Sequence, residues 1–140
     1  MNLNKANERL QTKLTLAALI IFPVLILAAD QLPLPDKLVV AHAVFIQNDS
    51  GDSKFGDAMY RTLKQWGRWQ IVTDRSGADL IAVLDHKDVF IHNDFTLTLI
   101  DPKTSEKVWS SRRDAAFNAR AIISRELTAE LRKRLTGTLR

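Results

Sequence analysis

Cysteine is absent from this 140-residue chain. That excludes a disulfide framework, a thiolate metal site and a lipid-modified cysteine. Glycine is scarce, with five residues, and no Walker or dinucleotide glycine pattern occurs. Histidine is scarcer still, with three residues and none after His92. Gly51-Asp52-Ser53 has the form of a hydrolase nucleophile turn, but that chemistry needs a histidine base near the C-terminus. Capping a helix is the better use of Asp52 or Ser53. Asn48, Ser50 and Asp52 do not form a calcium loop, because Met59 stands where the closing glutamate is needed.

Long apolar runs are also missing, with one exception. Residues 14–29 carry no charge, and only Thr15 is clearly polar. Lys5, Arg9 and Lys13 precede this run, with Glu8 the only acid among them. Basic residues followed by an apolar stretch mark an export signal or a membrane anchor. Sixteen helical residues span about 24 Å, short of a hydrocarbon core of about 30 Å. They are slightly long for a cleaved signal core. An uncleaved hydrophobic helix acting as a signal-anchor is expected over 1–29, with cleavage near Ala29 as the alternative. The basic flank places the N-terminus in the cytoplasm and the remainder outside. The expected localisation is thus a single-pass cell-membrane protein, or a periplasmic or secreted one after cleavage.

The net charge is +4, but it is unevenly spread. Residues 30–111 hold nine basic and twelve acidic side chains, net −3, and residues 112–140 hold eight and three, net +5. The end of the chain is a basic element on a mildly acidic body. With no nucleic-acid motif, DNA or RNA binding is not expected.

Residues 30–37 read as a linker held extended by Pro33 and Pro35. Leu38 to Ile46 reads as a buried strand. Residues 47–53 form a polar turn into a helix with Phe55, Met59, Leu63 and Trp66 on one face and Gly67 as its stop. Trp69 to Thr73 and Asp79 to Leu84 follow as strands, then a turn or irregular edge over 85–88. Phe95, Leu97 and Leu99 alternate with Thr96, Thr98 and Ile100, the pattern of a half-buried strand. Its return strand covers 107–112, after a loop over 101–105. From Asn118, Ala119, Ile123, Leu127, Leu131 and Leu135 repeat every four residues, with Ile122 widening the stripe. His42 reads as a hydrogen-bonded core or sheet-face histidine. The fold class is α/β (α+β): a mixed sheet of about five strands packed by two main helices over 38–140.

The order and spacing of four stretches resemble the small α/β domain of bacterial envelope proteins, of the CsgG and LpoB type and of the TolB amino-terminal domain. They are the polar turn Phe45 to Asp52, the helix from Gly56-Asp57-Ala58 to Gly67-Arg68-Trp69, the strand end Ile71 to Arg75 with Gly77-Ala78-Asp79-Leu80, and the hairpin Leu97 to Ser110. The hairpin is similar to that family's strand, D-x-x-T-G-E, strand unit. The chain departs from the family by a very short link between its second and third strands. The resemblance implies a non-enzymatic domain that binds an envelope protein or helps assemble a complex, with no cofactor and no small-molecule substrate. Membrane contact would run through residues 14–29.

Candidate site residues fall into two groups. His86, Asp88, His92 and Asp94 share even positions, and in one flat strand they would face the same way. That gives an alternative reading as an exported metal-binding protein or small hydrolase, although the spacing matches no zinc signature. The polar face of an edge strand gives the same pattern. The second group, Trp69, Trp109, Arg125, Arg132 and Lys133, are interface candidates. Trp109 and Val108 are adjacent in a strand, so one of them is expected to face away from the core.

Overall fold

The computed structural model describes residues 35–116 and 119–138. The expected hydrophobic helix over 1–29 lies outside them. Among the described residues no helix is long and apolar enough to cross a membrane.

Five strands form one mixed sheet in the order β2-β1-β3-β4-β5. They are β1 (Ala43–Asn48), β2 (Gln70–Val72), β3 (Leu80–Val89), β4 (His92–Ile100) and β5 (Lys107–Ala115). β1 pairs in parallel with both β2 and β3, while β3, β4 and β5 run antiparallel. A short helix, α1 (Asp36–Val40), precedes β1; α2 (Ser53–Trp66) links β1 to β2, and α3 (Arg120–Thr138) follows β5. The expected fold class is therefore observed for the described domain.

The core lies between α2, α3 and one face of the sheet. Val44, Leu80, Ala82, Leu84, Phe95, Leu97 and Leu99 meet Phe55, Met59, Leu63, Ile123, Leu127, Leu131 and Leu135 there. The period-2 and period-4 stripes read from the sequence are these contacts. Ile122 is the exception: it is 52% exposed and does not widen the stripe. Burying one such side chain contributes about 1.5–3 kcal/mol, so this layer dominates the stability.

The caps follow the sequence. Asp52 Oδ1 accepts from the Phe55 N–H at 3.1 Å, and Arg120 Nε donates to Asp52 Oδ2, tying α3 to the start of α2. Burial opposes the charge on Asp52, but the hydrogen bonds from Arg120 and Phe55 outweigh it and hold the carboxyl below its ordinary range. Gly67 closes α2 with φ 68°, a left-handed conformation that suits glycine. Asp79 has a role not read from the sequence. Its Oδ2 accepts from the His42 and Ala43 N–H groups at 2.9 and 3.0 Å, clamping β1 to the start of β3.

Four expectations are corrected. Residues 36–40 are helical, so the first strand starts at Ala43 rather than Leu38, and the helix takes the end of the expected linker. Leu38 is fully buried and α1 sits against β5, which closes that end of the core. His42 is exposed, outside both the core and the strand. Val108 and Trp109 both pack against the core, because a register shift at Leu99/Ile100 breaks the alternation. Finally, residues 85–88 are strand rather than turn: β3 runs on to Val89, and the reversal is at Phe90-Ile91.

Candidate functional site

The longer β3 creates the most distinctive part of the molecule. β1 pairs with β3 only as far as Leu84, and β3 continues for five residues, Asp85 to Val89. At about 3.3 Å per residue this carries the hairpin roughly 16 Å past the end of β1. β4 and β5 accompany it, with Asn93 opposite Ala115 and Val89 opposite His92. The result is a three-stranded arm projecting from the sheet. At its tip Phe90 is fully exposed and Ile91 is 79% exposed, with Val89 also exposed beside them. Three contiguous exposed apolar side chains gain nothing for an isolated domain; patches of this kind mark interaction sites. Sequence reasoning missed them. Two-residue hairpins are usually signalled by Gly or Asn at positive φ, and neither Phe90 nor Ile91 has positive φ.

The arm separates the histidines that even spacing had placed together. Because the chain turns at 90–91, His86 pairs with Phe95 and Val89 with His92. His86 and Asp88 share the helix-side face with Asn93 and Phe95, while His92 and Asp94 lie on the opposite face. The expected four-residue face does not exist. His86 stacks on Phe95 with ring centroids 4.6 Å apart, and its Nε2 lies 3.3 Å from both Asn93 Oδ1 and Asp88 Oδ1. That ring is engaged in packing the root of the arm.

On the other face His92 meets Asp94 and, across the strand, Asp114. Arg112 joins them: its Nη2 is 2.9 Å from Asp94 Oδ2 and its Nε is 3.4 Å from Asp114 Oδ1. Arg112 and Asp114 were not singled out in the sequence, since only strand pairing brings them to Asp94.

The interface candidates divide. Trp69 is buried, edge to face with Trp66 at 5.2 Å between centroids, and so belongs to the core. Trp109 is half-buried against the core. Arg125 and Arg132 are exposed on α3 and line a shallow groove of about 230 Å³ with Thr62, Gln65, Trp66 and Ala129. Lys133 is exposed on the same helix but does not line that groove. Ser53, of the nucleophile-like turn, is simply the first residue of α2.

Comparison with solved structures supplies the fold relationship. The chain superposes on TolB from Acinetobacter baumannii with a TM-score of 0.56 and 11% identity, over 69% of this chain and 29% of that one. It shares a fold with part of TolB. The PelC dodecamer from Paraburkholderia phytofirmans is matched at a TM-score of 0.44 and 13% identity, over 67% of this chain and 86% of that one. Lipoprotein GNA1162 from Neisseria meningitidis is matched at 0.34 and 10%, over 69% and 99%. No protein-family model matches the chain, and no curated protein does.

Proposed function

We propose that this is a non-enzymatic envelope protein whose arm binds another envelope protein. Residues 1–29 act as a signal-anchor held in the membrane through 14–29, and the α/β domain stands outside the cytoplasm on a short linker. The sequence resemblance to the CsgG and LpoB type, and the fold shared with part of TolB, support an assembly or protein-binding module. The observation that carries the reading is the exposed Val89-Phe90-Ile91 tip on a strand pair that outruns its neighbour. An apolar side chain presented at the end of the three-stranded arm suits insertion into a pocket of a partner, where aromatic anchors contribute most.

Two measurements test this. A phosphatase fused to the C-terminus is expected to be active, as an exported domain requires; an inactive fusion beside an active cytoplasmic reporter would contradict the topology. Crosslinking full-length protein in cells, then isolating membranes, is expected to give defined adducts that disappear in Phe90→Ser/Ile91→Ser. Unchanged adducts in that variant would remove the arm from the account.

A further inference from the structure

The polar cluster at the root of the arm has an internal inconsistency that points to a ligand. Asp94 is 6% exposed, and its Oδ1 accepts no hydrogen bond. A buried carboxylate oxygen left without a donor has given up its hydration for nothing in return, so such atoms are rare unless something else meets them. His92 Nε2 lies 3.3 Å from this oxygen, close enough for an ion pair with a charged imidazole but off the line a hydrogen bond needs. Asp114 brings a second carboxylate, and one donor atom from each of the three residues lies within 4.8 Å of the other two.

We infer that His92, Asp94 and Asp114 form a binding site for a divalent transition-metal cation such as zinc. A tetrahedral zinc with bonds of about 2.0–2.1 Å sets its ligands about 3.3–3.4 Å apart. The His92–Asp94 separation of 3.3 Å already has that value. The donor set of one imidazole and two carboxylates balances the double charge and is of a kind that zinc, nickel and manganese accept. Register explains how it forms: His92 and Asp94 are two apart on β4 and share a face, and Asp114 is the direct cross-strand partner of Asp94. His92 is half-buried and Asp114 exposed, which leaves a path of entry and room for water as a fourth ligand. Bound there, the cation would join β4 to β5 at the base of the exposed tip.

Arg112 is the competing cation. Its side chain is 60% exposed, so it can swing into solvent, but its charge must leave before a metal enters. Lys87, the cross-strand partner of Asp94 on β3, is the other cation beside the site. The site is separate from His86, and the inference stands whether or not the tip binds a protein.

The test is titration of untagged full-length protein with zinc by calorimetry, and with cobalt by visible absorption. One saturable equivalent is expected, with cobalt bands of low coordination number. His92→Ala and Asp114→Asn should each weaken binding at least tenfold, His86→Ala should leave it unchanged, and Arg112→Gln should tighten it several-fold. Asp114 is exposed, so its substitution does not threaten the fold in the way that changing Asp94 does. The absence of a saturable equivalent in both wild type and Arg112→Gln would overturn the inference. So would binding that His86→Ala abolishes and His92→Ala does not.

Discussion

The body of the domain and its arm are built from the same sheet but obey different rules. In the body, alternate residues of β1, β3 and β4 are buried under α2 and α3, and carboxylates such as Asp52 and Asp79 clamp the elements together. In the arm, β3 has lost its β1 neighbour. Its side chains are engaged in ion pairs and ring stacking, and its tip is apolar and exposed. The body is what a chain needs in order to fold. The arm is more elaborate than folding requires, and it is where a functional reading belongs.

The widest gap between the two should appear on truncating an apolar side chain in each. Leu127→Ala in α3 empties a fully buried position and should cost about 2–5 kcal/mol. Phe90→Ser removes a larger side chain from the tip and should change stability by no more than about 0.5 kcal/mol, because nothing covers it. Urea denaturation of the two variants compares them directly, and similar losses would end the division into body and arm.

Acid should act on the body through its carboxylate clamps. Hydrogen bonds from the His42 and Ala43 N–H groups hold Asp79 below its ordinary range, as Arg120 and Phe55 do for Asp52. A carboxyl whose folded pKa is depressed contributes stability that is fully present above the unfolded value of about 3.9 and is lost as pH falls through the folded value. The thermal midpoint should therefore fall as pH drops below about 4. Asp79→Asn should start lower and flatten that fall, while an equally steep fall in the variant would exclude the clamp as its cause.

A small gain in stability is expected from the β4–β5 loop. Ser105 has φ 61°, in the left-handed region, at the position where the resembling family's hairpin carries glycine. Ser105→Gly should remove that strain and stabilise by about 0.5–1 kcal/mol, read as a higher urea midpoint.

How far the sequence was legible follows the same division. The stripes Phe55-Met59-Leu63 and Ile123-Leu127-Leu131-Leu135 repeat at helical spacing because they face one layer, and the alternation of Phe95, Leu97 and Leu99 marks the covered face of β4. Those features read directly. The arm did not, because its turn is Phe90-Ile91, with no glycine, proline or asparagine to mark it. Once the turn is misplaced, the faces of His86 and His92 are misassigned, since a hairpin reversal changes which positions share a side. Asp114 and Arg112 lie about twenty residues from His92 in sequence, and only the register of β4 with β5 brings them to it. Helix α1 is not legible because Leu38 to Ile46 is mostly apolar with Val39, Val40, Val44 and Ile46 β-branched, a strand-like composition, and α1 is held by its contact with β5.

The central claim is that the tip of the arm is where a partner docks. A photo-crosslinking residue placed at position 90 of the full-length protein tests it in living cells, with position 60 on exposed Tyr60 of α2 as the control. The account predicts a discrete envelope-protein adduct from position 90 and none of that size from position 60. No adduct from position 90, or the same adducts from both positions, would contradict it.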